Sequence, residues 1–171
     1  MSFSKNKNQT LSSLAREVGL LLSSNNLTCA VAESCTGGMI GAAITSIAGS
    51  STWFRGGVIV YTNELKQQFL GVPEETLSSH GAVSSETVTA MVSGAVDICN
   101  ADCAVAVSGI AGPGGGTPEK PVGLVFIGCS FNGTISVFKH HFKGNRNIVR
   151  HSAAAAALRH LIDRIKMEKS V

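Results

Sequence analysis

LTCAVAESCTGGMIGAAITSIAG occupies residues 27–49. LTCAVAE, 27–33, is a short apolar and β-branched run of the kind that forms a buried strand. Ser34-Cys35-Thr36-Gly37-Gly38 carries no large side chain and ends in two glycines, so it reads as a tight turn. MIGAAITSIAG, 39–49, continues as a helix of small residues. Strand, turn and helix in that order form the repeating unit of an α/β fold, and they place the turn where free helix N–H groups face outward.

The flanking sequence extends the same plan. Residues 1–10 are polar and are expected to be a mobile tail, with 11–167 forming a single domain. Leu11, Leu14, Val18, Leu21 and Leu22 recur at helical spacing up to Asn25-Asn26. Downstream, GGVIVYT (56–62) is a second strand, and Asn63 is read as the N-cap of a short helix through Lys66 to Leu70. Ser84 or Ser85 starts a helix with the stripe Val88, Met91, Val92, Ala95 and Val96, and CAVAVSG (103–109) is a third strand. The glycine-rich run GIAGPGGGTPEKP, 109–121, is a surface loop at a strand end. VGLVFIGCSF and TISVFKHHF are joined by Asn132-Gly133, a dipeptide suited to the positive φ angles of a two-residue hairpin. An alanine-rich helix over 146–166 closes the chain. The fold expected is a three-layer α/β/α sandwich with a mixed sheet and one β-hairpin.

Composition excludes several function classes. With 171 residues, 44% apolar and 15% charged, the chain is sized for one core and too weakly charged for disorder. A formal net charge of +3, with no basic run interleaved with aromatics, argues against nucleic acid and is compatible with a phosphate-bearing small molecule. No stretch reaches the roughly 18 apolar residues of a membrane span, and the polar start has no hydrophobic region behind it, so a cytoplasmic protein is expected. Five cysteines without a pairing pattern read as reduced core residues, and Cys99 and Cys103 lack the second ligand pair of a zinc site. No metal and no cofactor are expected.

Three segments stand where strands end: residues 33–38, 61–66 and 108–113. Ser34 is presented beside N–H groups that could bind an oxyanion, which suits a nucleophile; alternatively it caps the following helix. Lys66 follows an apolar strand where no amphipathic pattern calls for lysine. As a general base it must be neutral, which requires burial or a nearby cation to lower its pKa from ~10.4 to about 7–8. No histidine competes well: His80 is placed in a loop, His140 and His141 on a hairpin strand, His151 and His160 on the last helix. A serine–histidine–aspartate triad is the weaker reading. Cys35, at a helix start, is a rival nucleophile, although strand geometry should point it away from Ser34. Tyr61 is either a site residue or an ordinary strand-end tyrosine. Trp53 and Phe54 are read as packing residues. The spacings of the short-chain dehydrogenase, penicillin-binding and phosphate-loop motifs are all absent.

The ordered blocks AESCTGG (32–38), AGSSTWFRGG (48–57), YTNELK (61–66), HGAVS (80–84), SGIAGPGGG (108–116) and KPVG (120–123) together resemble the CinA C-terminal domain family over about residues 11–165. Its stand-alone members are nicotinamide-nucleotide amidases. The resemblance implies hydrolysis of nicotinamide mononucleotide to nicotinic acid mononucleotide and ammonia by a serine–lysine mechanism. Ser34 would be the nucleophile, Lys66 its base and Tyr61 a hydrogen-bonding partner. Cys35, Thr36, Gly37 and Gly38 would contact the substrate around the reacting carbonyl. Ser108, Gly109 and Gly112 of the SGIAGP loop, with Arg146, would handle ribose and phosphate. Longer members carry a further N-terminal domain with a pyrophosphatase activity that the resemblance does not bring here. Gly114 and Asn145 depart from the aspartates common in the family, which leaves open a nucleotide-binding paralogue that does not cleave, beside a Cys35-dependent hydrolase. Low surface charge and apolar strips expected to be exposed on the last helix point to a homodimer.

Overall fold

The structure, a computed structural model, describes residues 9–168. Its elements are α1 (Leu11–Ser23), β1 (Cys29–Glu33), α2 (Met39–Thr45), β2 (Phe54–Ile59), α3 (Asn63–Leu70), α4 (Glu74–His80), α5 (Ser85–Cys99), β3 (Cys103–Gly109), β4 (Leu124–Phe131), β5 (Thr134–His141) and α6 (Arg146–Glu168). The tail expected over 1–10 lies outside the described residues up to position 8; Thr10 is the N-cap of α1, its hydroxyl accepting from Ser13 N–H.

One mixed sheet of five strands has the order β2-β1-β3-β4-β5. β2, β1 and β3 run parallel, and β4 and β5 are added antiparallel as a hairpin whose Asn132 and Gly133 both have positive φ. β1 and β3 are buried on both faces, which is why they read as continuous apolar runs. Alternation then sorts their residues. Cys29, Val31, Cys103, Val105 and Val107 face the layer of α1, α2 and α6, while Ala30, Ala32, Ala104 and Ala106 face Met91, Val92 and Ala95 of α5 and Leu70 of α3. Alanines on that second face let α5 lie close to the sheet.

Several local expectations change. β2 starts and ends earlier than anticipated, because Val60 N–H already donates to Glu33 O at 2.9 Å and the chain turns away. Thr62, not Asn63, caps α3: its backbone is extended and its hydroxyl accepts from Leu65 N–H. Of the two candidate serines, Ser84 caps α5. The short helix α4 was not anticipated, and His80 is its last residue rather than a loop residue. Trp53 is buried beneath α1, close against Gly19. The apolar residues of α6 are not a free strip: Val149, Leu158, Leu161, Ile162 and Ile165 are buried, and only Ile148 and Met167, near its two ends, are exposed. This removes one of the two grounds on which a homodimer was expected, since that strip is used inside the molecule. No helix among the described residues is long and apolar enough to cross a membrane.

Candidate active site

The chain passes from β1 to β2 on one side and then crosses to β3 on the other, so the reversal of strand order falls between β1 and β3. A crevice forms at such a reversal, outside the carboxyl ends of the strands. Register brings those ends level, with Glu33 opposite both Ile59 and Val107. The turn after β1 is tied down by Ser34 N–H donating to Val107 O at 3.0 Å and Gly37 N–H donating to Ser34 O at 3.1 Å.

Gly38, at φ 90°, is the N-cap of α2 and supplies no side-chain cap. The cap comes instead from Glu33. Its carboxylate accepts from Gly38 N–H at 3.0 Å, Ile40 N–H at 3.1 Å and Gly41 N–H at 2.8 Å, while the side chain is almost completely buried. Three charge-assisted bonds satisfy this buried charge and neutralise the positive end of the helix. Ser34 is therefore not the cap, and its hydroxyl is free for another partner.

That partner is Lys66. Residue 66 lies on the first turn of α3, facing inward, and is the largest fully buried side chain among the described residues, at 1% exposure. Its Nζ is 3.3 Å from Ser34 Oγ, 3.0 Å from Val60 O, 3.4 Å from Tyr61 O and 3.5 Å from Thr62 O. No carboxylate forms an ion pair with it among the described residues. Burial holds the amine below the usual lysine range, against smaller opposing pulls from Cys35 and Glu64. A neutral amine here can donate to Val60 O and accept from the Ser34 hydroxyl, which is the arrangement a base requires.

Tyr61 is 58% exposed, and its hydroxyl accepts from Arg146 Nη2 at 2.9 Å. Arg146 Nη1 donates to Gly112 O, also at 2.9 Å. Tyr61, Gly112 and Arg146 are thus brought together, with the Tyr61 hydroxyl on Arg146 rather than on Ser34 or Lys66. Ser108 and Gly109 are engaged in structure: Ser108 is buried with its hydroxyl donating to Ala82 O at 2.7 Å, and a Cβ on Gly109 would meet Val125 at 2.6 Å. Thr36 is completely buried, and its hydroxyl has no hydrogen-bond partner among the described residues. Cys35 belongs to the core, and its thiol is pushed up to about 11, chiefly by burial. At pH 7 such a thiol is about 10⁻⁴ ionised, which weighs against a Cys35 nucleophile.

Sequence reading assigned no role to Glu33 or Arg150. Arg150 donates to Cys35 O at 3.1 Å and Thr36 O at 2.9 Å, pinning the nucleophile turn to α6. Its signal was its place four residues after Arg146, on the same helix face. Gly37, at φ 60°, lies under it: a Cβ there would come within 3.0 Å of Arg150 Nη2. The two departures from the family pattern are structurally mild. Asn145 Oδ1 accepts from Ile148 N–H at the start of α6, a role aspartate fills as well, and nothing lies within 4 Å of a Cβ placed on Gly114.

Fold and site together define an open-sheet α/β protein with a buried amine facing a serine hydroxyl at the strand-order reversal. The chain belongs to the CinA C-terminal domain family, whose pattern matches residues 11–165. Nicotinamide-nucleotide amidohydrolase PncC of Shigella flexneri is 48% identical over 152 residues, covering 88% of this chain and 92% of that protein. A CinA-like protein of Thermotoga neapolitana is 49% identical over 146 residues, but the chain spans only 36% of its length. Among solved structures, the competence/damage inducible protein CihA from Agrobacterium tumefaciens superposes with a TM-score of 0.89 at 41% identity, covering 95% of this chain and 98% of that one.

Proposed function

We propose that this chain hydrolyses the carboxamide of nicotinamide mononucleotide to nicotinic acid mononucleotide and ammonia. The observation that carries the reading is the buried Lys66 amine, 3.3 Å from Ser34 Oγ, with no carboxylate among the described residues to hold its proton. The amidohydrolases among its relatives supply the substrate class.

Ser34 Oγ attacks the carboxamide carbon as its proton passes to Lys66 Nζ. Within the turn, Gly37 and Gly38 N–H are already donated to Ser34 O and Glu33. The N–H groups of Cys35 and Thr36, next to the nucleophile, are left to receive the oxyanion. Collapse breaks the C–N bond, the Lys66 ammonium protonates the departing amide nitrogen, and ammonia leaves. Water then attacks the acyl-enzyme while Lys66 takes its proton, and that proton returns to Ser34 Oγ as the ester bond breaks. A bound pyridinium cation near Lys66 disfavours the ammonium further, so substrate itself helps keep the base neutral. Arg146, whose partners are both neutral oxygens, is the cation available to the phosphate.

The test is ammonia release from nicotinamide mononucleotide by wild type, Ser34→Ala, Lys66→Met and Cys35→Ala. Loss in the first two variants and retention in the third is expected. Release that survives Ser34→Ala, or that disappears only in Cys35→Ala, would overturn the assignment, and an inert wild type would favour a binding protein that does not cleave.

A further inference from the structure

We infer that the Arg146 guanidinium is a strap across the mouth of the site, which the anionic group of the substrate must take over before Ser34 becomes accessible. The inference rests on the amidase reading and adds a specificity mechanism to it: the phosphate is required to open the site as well as to bind.

β1 lies between β2 and β3 in the sheet, so Ser34, at the end of β1, sits between the segments that leave the two neighbouring strands. Arg146 joins those segments, donating to Tyr61 Oη after β2 and to Gly112 O after β3. Its height is set by Arg150, one helical turn further along α6, which grips the carbonyls of Cys35 and Thr36 in the turn that carries Ser34. Arg146 thus bridges the two sides directly beside the nucleophile turn. In the crevice between those two segments Ser34 is only 7% exposed and Lys66 only 1%, so the hydroxyl must be uncovered before an amide reaches it. The strap is held by two neutral oxygens. A phosphate monoester offers the same guanidinium a bidentate, charge-assisted pair, which is stronger than either existing bond, so the exchange is downhill for an anion and uphill for a neutral ligand. Tyr61, more than half exposed, has space to swing outward once its hydroxyl is released.

The two halves of this mechanism respond to mutation with opposite sign, which separates a strap from a simple phosphate-binding arginine. In Arg146→Ala, kcat/KM for nicotinamide mononucleotide falls, by about 100-fold if two charge-assisted bonds are lost, while kcat/KM for the riboside lacking the phosphate rises by about tenfold. In Tyr61→Phe, which cuts one side of the strap and keeps the guanidinium, the ratio of riboside to nucleotide kcat/KM rises several-fold, whatever Tyr61 itself contributes to turnover. Modification of Ser34 by the neutral reagent phenylmethanesulfonyl fluoride, in which Oγ displaces fluoride at sulfur, gives a readout that does not depend on the substrate. Arg146→Ala is expected to react about ten times faster than wild type. An unchanged or slower labelling rate in that variant, or a riboside kcat/KM that fails to rise, overturns the strap. Faster labelling in a protein that leaves the nucleotide intact keeps the strap and refutes the amidase reading. Absence of labelling in both proteins likewise overturns the strap, and ammonia release alone decides the amidase reading.

Discussion

Replacing Lys66 with methionine keeps an unbranched side chain, one atom shorter, and removes its titration, so the two proteins should differ in stability in a way that depends on pH. Burial lowers the folded-state pKa of Lys66 from its ordinary value of 10.5. Between the lowered value and 10.5 the unfolded chain holds a proton that the folded chain has lost, and stability therefore rises with pH across that window. The slope for one group is about 1.4 kcal/mol per pH unit. The buried thiols titrate in the opposite sense, with folded values pushed up to about 12 for Cys29 and Cys129, and so depress stability at high pH. Both proteins share that background, which cancels in the difference. Urea unfolding of wild type and Lys66→Met from pH 7 to 10.5 should give a stability difference that is flat at first and then climbs in favour of wild type with the one-proton slope. The pH at which the climb begins is the folded-state pKa of Lys66, and the acid limb of kcat/KM should fall at the same pH, since the base works only when neutral. A difference that stays flat over the whole range would mean that Lys66 keeps its proton in the folded protein, and the general-base assignment would fail.

Cys35→Ala should hold kcat within about threefold and cost about 1 kcal/mol of stability, as for a small core truncation; a loss of activity comparable to Ser34→Ala would restore the thiol as nucleophile. Glu33→Gln should lower kcat through a loosened nucleophile turn, because the amide replaces one acceptor oxygen with an NH₂ aimed at a backbone N–H. The expected destabilisation is about 2–4 kcal/mol in thermal unfolding at neutral pH, and a fully active, fully stable variant would show that the cap is dispensable. Mild acid should destabilise the junction of β5 with α6. His140 Nε2 and His160 Nε2 are 2.8 Å apart, His160 stacks on Phe138, and burial with the neighbouring His140 and Arg159 pushes His160 down to about 4. The stability held by its neutral form is complete above 6.5 and is lost as pH falls from 6.5 towards about 4, roughly 3 kcal/mol in all. A His160→Phe variant whose stability falls just as steeply with acid as that of wild type would assign the effect elsewhere.

The parts of the fold legible in the sequence are those whose signal is local. β1 and β3 are short apolar runs because both faces are covered, and Asn132-Gly133 sits where a two-residue hairpin needs two positive φ angles. α4 escaped because one buried leucine, Leu77, gives no periodicity, and its start relies on Pro73 and the charges of Glu74 and Glu75 rather than on a side-chain cap. Ser34 and Lys66 could be proposed from their positions after strands. Their meeting is a tertiary fact, and so is the burial of Lys66. Glu33 was visible as an acidic residue ending an apolar strand, but its partners are backbone N–H groups five to eight residues on, which carry no residue-type signature. Arg150 had one weak signal, its place a turn after Arg146, but the carbonyls it grips lie 114 and 115 residues away, which that spacing does not reveal. The expected exposed strip on α6 failed for a related reason, since a helix packed against both α1 and the sheet has the same sequence pattern as one awaiting a partner.

The placement of charge explains why a lysine can act as base here. A serine at a strand-to-helix turn commonly draws on the helix N-terminus for oxyanion stabilisation, but Glu33 has already occupied that end of α2. The helix is capped by a carboxylate whose oxygens face three N–H groups, so its charge is held within the turn rather than offered to Lys66. A carboxylate paired directly with Lys66 would raise its pKa and keep it protonated, which would abolish its use as a base. Carbonyls of Val60, Tyr61 and Thr62 surround the amine instead, positioning it through dipoles without the full attraction of an anion. Moving the acid to the lysine should therefore be more damaging than deleting it. Val60→Asp, at the strand end whose carbonyl contacts Nζ, is expected to shift the acid limb of kcat/KM to higher pH, and an acid limb that stays where it is or moves lower would show that local charge does not govern the base.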